Sequence, residues 1–203
     1  MRRVVLPALF AAPILISGAL AGCTPVDMIV GTGATVGVSA ASEKGLSGTV
    51  DDTKLQTSID AALIAHDPKA FLKLSVTIFE GQVTLTGSVP DPQEKVDAVQ
   101  VTWQVAGVRK VNDEIQVENT STLIDMGRDI RIADNLKAVL FIDKDIKNIN
   151  YNVDCVNGVV YLMGIAQNQN ELDRVIAHAR DIGGVTRIVN HVILKTDPSR
   201  VTS

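Results

Sequence analysis

The chain has 203 residues, 46% of them hydrophobic but only 3% aromatic, and its 19 basic and 23 acidic side chains give a net charge of −4. Such an aliphatic-rich composition excludes a disordered chain. The mildly acidic balance gives no electrostatic basis for binding nucleic acid.

Arg2 and Arg3 precede an apolar run from Val4 to Leu20 that ends in small residues. This is the pattern of a secretory signal peptide over residues 1–22. Pro7 and Pro13 interrupt the run, and it is short for a membrane span of ~20 residues. Leu20-Ala21-Gly22-Cys23 resembles the lipobox of bacterial lipoproteins, in which the Cys is acylated and becomes the new amino terminus. That resemblance implies lipid attachment at Cys23. Thr24 in the next position, instead of Asp, resembles lipoproteins delivered to the outer membrane, facing the periplasm. Several acyl chains on one residue would anchor the protein stably. Arg2 and Arg3 leave with the leader, so the mature chain carries −6. Cys155 is then the sole remaining thiol and no intramolecular disulfide can form. Residues 23–51, rich in Gly, Ser, Ala and Thr, read as the lipidated Cys and a flexible tether. Gly31-x-Gly33 lacks the strand-turn-helix setting and the Lys-Ser/Thr of a phosphate loop.

From Asp52 the chain repeats itself without a gap. Gly81-x-Val83-x-Leu85-x-Gly87 recurs 77 residues later as Gly158-x-Val160-x-Leu162-x-Gly164, and Gly107-Val108-x-x-Val111 as Gly184-Val185-x-x-Ile188. Two domains are expected, over 52–117 and 129–195, with a linker at 118–128 and a tail at 196–203. Each opens with an amphipathic helix, carrying Leu55, Ile59 and Leu63 or Ile132, Leu136 and Leu140 at helical spacing. Two alternating strands follow, turning at Glu80-Gly81 and Asn157-Gly158. A second helix is capped by Asp91 or Asn168 and is predicted to stop at Gly107 or Gly183-Gly184. A final strand covers Arg109–Val117 or Thr186–Lys195. The fold class is α+β: two tandem α-β-β-α-β units, each a small mixed sheet with two helices on one face.

The doubled G-x-V-x-L-x-G, helix, G-V-x-x-V pattern resembles the BON domain of bacterial envelope proteins, and behind a lipobox it is similar to the dual-BON outer-membrane lipoproteins. The resemblance implies binding of phospholipid, a role in envelope integrity and no catalysis.

The residues carry no recognisable reaction chemistry. His66, His178 and His191 lack metal-ligand spacing, so neither a metal nor a cofactor is expected. Cys155 falls on a core-facing strand position, where a free Cys acts as a small hydrophobe. Asp51-Asp52 and Asp143 with Asp145 read as solvated charge at helix edges and turns.

Subtracting one repeat from the other leaves two contrasts. On the opening helix of the second, Ile130, Lys137 and Phe141 share an outward face, near Arg131 and Lys144, where the first repeat has Thr53, Asp60 and Ile64. This face is a candidate contact for anionic membrane phospholipid, weakened by Asp134 and Asp143. The alternative packs Phe141 under the following loop. On the far side of the sheet, Val159, Tyr161, Met163, Val189 and Ile193 replace Gln82, Thr84, Thr86, Asn112 and Gln116. The second sheet therefore reads as buried on both faces, covered by the first domain or by an envelope protein partner. The first reads as solvated on one. Trp103 is either an interfacial anchor or edge-of-core packing. A protein-protein adaptor for an envelope assembly or division machinery is the competing functional class.

Overall fold

A computed structural model describes residues 41–118 and 123–200. The leader, Cys23, most of the tether, part of the linker and the last three residues lie outside the described residues.

In the first repeat, helix α1 (Gly45–His66) leads through a 3-10 turn (Ala70–Lys73) into β1 (Leu74–Phe79) and β2 (Gln82–Val89). Helix α2 (Pro92–Trp103) then precedes β3 (Lys110–Asp113) and β4 (Gln116–Val117). The second repeat gives α3 (Leu123–Ile142), a 3-10 turn (Asn148–Asn150), β5 (Tyr151–Val156), β6 (Val159–Ala166), α4 (Gln169–Asp181) and β7 (Arg187–Leu194). In each, the hairpin is antiparallel and the last strand runs parallel to the middle one. β3 and β4 keep one register against β2, so they are one strand interrupted at Glu114-Ile115, in the position that β7 spans unbroken.

Local chemistry sets these elements. Asp91 and Asn168 cap their helices by accepting from the Gln93 and Glu171 N–H groups at 2.6 and 3.0 Å. Glu80 and Asn157 take φ of 50° and 52°, and the glycine after each is also left-handed, giving the turn that matches strand twist. Gly87 and Gly164 are required for another reason. A Cβ there would collide with the carbonyl oxygen of Lys73 or Asn150, because each 3-10 turn is pressed onto the middle strand.

Both helices of a repeat cover the same sheet face. Leu55, Ile59, Leu63, Ala98 and Val101 close over Ile78, Val83 and Leu85 in the first repeat. Leu136, Leu140, Leu172 and Val175 close over Val153, Val160 and Leu162 in the second. The two uncovered sheet faces meet, giving layers of helices, sheet, sheet, helices. Val159, Tyr161 and Met163 form a separate buried cluster with Phe79, Val156 and Val189.

Three expectations need correction. Helix α1 begins at Gly45, inside the stretch read as tether. Lys44 and Asp52 pair at 3.0 Å across its first two turns, and Thr49 and Thr53 turn their hydroxyls back onto carbonyls one turn earlier. α2 ends at Trp103, short of Gly107, whereas α4 ends at Asp181 with Ile182 as its cap and Gly183 directly after it, as expected. Gly107 and Gly184, at φ 101° and 98°, instead serve the turn into the last strand, where Arg109 and Thr186 donate their N–H groups to the Gly81 and Gly158 carbonyls, both at 2.8 Å. The polar face of the first sheet is not solvated: Thr77, Thr84, Thr86 and Ser88 are buried. They tolerate this because their neighbours satisfy them. Asn152 donates to Thr77 at 3.0 Å, Asn112 to Thr84 at 3.1 Å, and the Thr86 hydroxyl to Asp154.

Candidate functional site

The long opening helix of the second repeat turns Leu136 and Leu140 into the core and leaves its opposite face in solvent. Ile130 is 59% exposed and Phe141 74%, so Phe141 does not pack beneath the following loop. Ile142 beside it is 75% exposed. Arg131, Lys137 and Lys144 are all exposed. Of the two acids expected to oppose this face, Asp143 is engaged elsewhere. Arg174 and His178 both reach it at 2.7 Å, and with the Asp145 N–H they hold its carboxyl well below the usual range. Asp134 remains exposed on the helix.

The same helix borders a groove that both repeats possess. In the second it measures about 290 Å³ and is lined by Arg128, Arg131, Asn135 and the Gly183-Gly184 backbone. The equivalent groove in the first repeat, about 400 Å³, has Asp51, Lys54, Ser58 and Ala106-Gly107 at the matching positions. An acidic and a basic residue thus become two arginines, although Arg128 also reaches Asp125 at 3.4 Å.

The face of β6 and β7 lies against the first repeat. Gln116 donates to the Tyr161 hydroxyl at 3.1 Å and to the Val156 carbonyl at 3.0 Å. His191 meets Glu114 at 2.8 Å. Val159, Tyr161 and Met163 are buried there, with Val189 and Ile193 partly so. Trp103 and Val96 stand half exposed on α2, away from this contact.

Sequence reasoning missed three features. The first is a duplicated carboxylate clamp. Asp52 accepts from the Glu80 and Gly81 N–H groups, both at 3.0 Å, and Asp129 from Asn157 and Gly158 at 2.7 and 2.9 Å. Both acids are buried, which corrects the reading of Asp52 as solvated, while its neighbour Asp51 is exposed as expected. The 77-residue spacing between Asp52 and Asp129 was the available signal. The second is the contact of Asp129 with the Cys155 thiol at 3.5 Å, on a strand position already expected in the core; burial and that carboxylate push the thiol up to about 12. The third is a clasp of the chain ends. Glu43 pairs with Lys147 at 2.7 Å and Lys195 at 3.0 Å, and Arg200 reaches Glu80 at 2.7 Å and the Glu43 carbonyl at 3.0 Å.

No cluster of His, Cys, Asp or Glu among the described residues could hold a metal ion. No helix among them is long and apolar enough to cross a membrane.

The chain is 37% identical over 147 residues to a protein of Anaplasma centrale described only by its place in the gshII 5′ region, covering 72% of this chain and 96% of that one. It is 28% identical to osmotically-inducible protein Y of Escherichia coli, over 72% of this chain and 74% of the relative. It is 27% identical to the outer membrane lipoprotein DolP of Haemophilus influenzae, over 84% of this chain and 87% of the relative. The model of the BON domain matches twice, over residues 51–119 and 128–196, one match to each structural repeat. The chain therefore belongs to the BON-domain family, as a tandem of two BON domains.

Proposed function

We propose that this is a non-enzymatic, lipid-anchored periplasmic protein that contacts anionic phospholipid through the second BON domain and supports the integrity of the outer membrane. The observation that carries the reading is the outer face of α3. Ile130, Phe141 and Ile142 stand in solvent among Arg131, Lys137 and Lys144. Aromatic and aliphatic side chains flanked by long cations suit the headgroup layer, where the stems sit among apolar atoms and the charges meet phosphate. The arginine-lined groove beside the same helix adds positive charge where the first domain has a mixed pair. Cys23 would hold the domains at a membrane surface, which raises the effective concentration of a weak contact. Likeness to an outer membrane lipoprotein supports that location. The chain's net negative charge makes long-range attraction unfavourable, so binding depends on the local patch.

The test is vesicle flotation of residues 24–203 with Cys23→Ser, so that no acyl chain contributes. Vesicles containing phosphatidylglycerol should carry the protein up, with affinity falling as salt rises, and phosphatidylcholine alone should not. Phe141→Glu should abolish flotation without changing the circular dichroism spectrum. Unchanged flotation of that variant would reject the face. A chain that ignores both vesicle types while retaining a defined partner would favour an adaptor, for which half-exposed Trp103 and Val96 are the remaining apolar surface on α2.

A further inference from the structure

Asn157 is the one asparagine of the chain that is followed by glycine. It stands at the turn between β5 and β6, and its side chain crosses to the first BON domain. The amide nitrogen donates to Gln116 Oε1 at 2.8 Å and to the Glu118 carboxylate. Gln116 in turn donates to the Val156 carbonyl and the Tyr161 hydroxyl, so the end of the second hairpin is fastened to the end of the first sheet. The first domain has Glu80-Gly81 at the matching turn, and Glu80 pairs with Arg200 instead. Of the two turns, only that of the second domain places an amide at the joint.

An Asn-Gly step has a reaction of its own. The Gly nitrogen, unhindered by a Cβ, loses its proton to a solvent base and bonds to the Asn Cγ atom. The Cγ–Nδ2 bond then breaks and the side-chain nitrogen leaves as ammonia. Water opens the cyclic imide at either carbonyl and leaves aspartate or isoaspartate, so the net change is water taken up and ammonia released. Here each reacting group is held. Asp129 accepts from the Asn157 and Gly158 N–H groups at 2.7 and 2.9 Å. A carboxylate beside the Gly158 nitrogen opposes loss of its proton, because the anion formed would face a like charge. The leaving nitrogen is tied to Gln116 and Glu118. The turn is still within reach of solvent, since Asn157, Asp129 and Cys155 line an open groove of about 200 Å³.

We infer that Asn157 is a deamidation site held in check by the contact between the two BON domains, and that its conversion to aspartate or isoaspartate releases that corner of the contact. The product has lost both amide donors and sets a carboxylate against Glu118 and Asp129, so attraction becomes repulsion. The Thr86–Asp154, Asn152–Thr77 and His191–Glu114 contacts lie elsewhere in the joint and keep the domains together. The corner that opens is the one over Val156, Val159 and Tyr161, members of the buried apolar cluster between the sheets. Loss of ammonia makes the change run one way.

The test incubates residues 24–203 with Cys23→Ser in mildly alkaline buffer, folded and in urea, and follows Asn157 by peptide mass mapping. The unfolded chain should deamidate at least about tenfold faster, because several hydrogen bonds restrain the folded turn. Gln116→Ala and Glu118→Ala should move the folded rate towards the unfolded one. Ion exchange separates the aged molecules by their added negative charge. Hydrogen–deuterium exchange should then be about tenfold faster at the start of β6 in the aged chain and in Asn157→Asp, the factor expected from one lost buried contact. Adding Glu118→Gln to Asn157→Asp should restore it, since the new amide can donate to the new carboxylate. Equal rates in the folded and unfolded chains, or no deamidation in urea, would overturn the site. Unaltered exchange in both the aged chain and Asn157→Asp would overturn the release.

Discussion

At the scale of single residues, the most consequential side chains are two aspartates that look unremarkable in the sequence. Asp52 and Asp129 sit early in their helices, yet each spans to the far end of a hairpin and holds both N–H groups of its turn. Charge-assisted hydrogen bonds of this kind are stronger than neutral ones. Removing the carboxylate would leave two shielded donors without a partner. Asp129→Ala should therefore cost about 2–4 kcal/mol in urea denaturation, and Asp129→Asn about half as much because one acceptor oxygen survives. Equal stability of the three proteins would mean that the turn holds itself. The clamp was hidden because an acidic residue near the expected edge of a helix reads as solvated charge. Only the folded chain brings residue 129 to residue 157.

At the scale of elements, glycines separate into those the fold requires and one it merely tolerates. Gly164 is left-handed at φ 138°, and a side chain would strike the Asn150 carbonyl. Gly164→Ala should lower stability by at least about 3 kcal/mol, from backbone strain and displacement of the 3-10 turn. Gly127 lies inside α3 with open space around its Cβ position. Gly127→Ala should raise stability by about 0.5–1 kcal/mol, the ordinary helix preference for Ala. Thermal or chemical melts of the two variants decide both, and a destabilised Gly127→Ala would point to a contact of the helix with something outside this chain. Element order was legible because periodicity changes from helical to alternating twice, in the same sequence of steps, and because Asp91 and Asn168 mark helix starts. Strand ends at Gly81 and Gly158 were legible for the same local reason. The start of α1 was not, since the two glycines, Ser47 and Thr49 between Gly45 and Asp51 read as tether, and the pairing of Lys44 with Asp52 appears only in the folded chain.

At the scale of the whole molecule, pattern differences between the repeats exposed the apolar face of the second sheet but misread its counterpart. Threonines on a strand look solvated until their hydroxyls are seen paired with Asn152 and Asp154 across the contact. The candidate membrane face was legible as an outward stripe on one helix. The clasp at Glu43 is a long-range feature with a pH signature. Burial alone would raise this carboxyl, but hydrogen bonds from Lys147, Lys195 and Gln167 outweigh it and bring the value from 4.5 to about 2. A lowered acid contributes its stability in full above its unfolded value and loses it as pH falls through the folded one. The stability difference between wild type and Glu43→Gln should hold steady from pH 7 to 5 and shrink between about 4.5 and 2. Urea midpoints across that range test it, and a gap that persists at pH 2 would assign the effect to packing.

The meeting of Arg200 with the Glu43 carbonyl also makes the folded portion nearly a closed ring of chain. Its order of assembly is then a matter of where the ring is cut. Joining residue 200 to residue 43 through a short linker and opening the chain between 118 and 123 would place the second BON domain first while keeping the contacts of every described element. Duplicated domains whose ends converge can exchange their order in the gene without exchanging their places in space. Any group fused to the new start would then join the fold at α3 instead of beside Glu43.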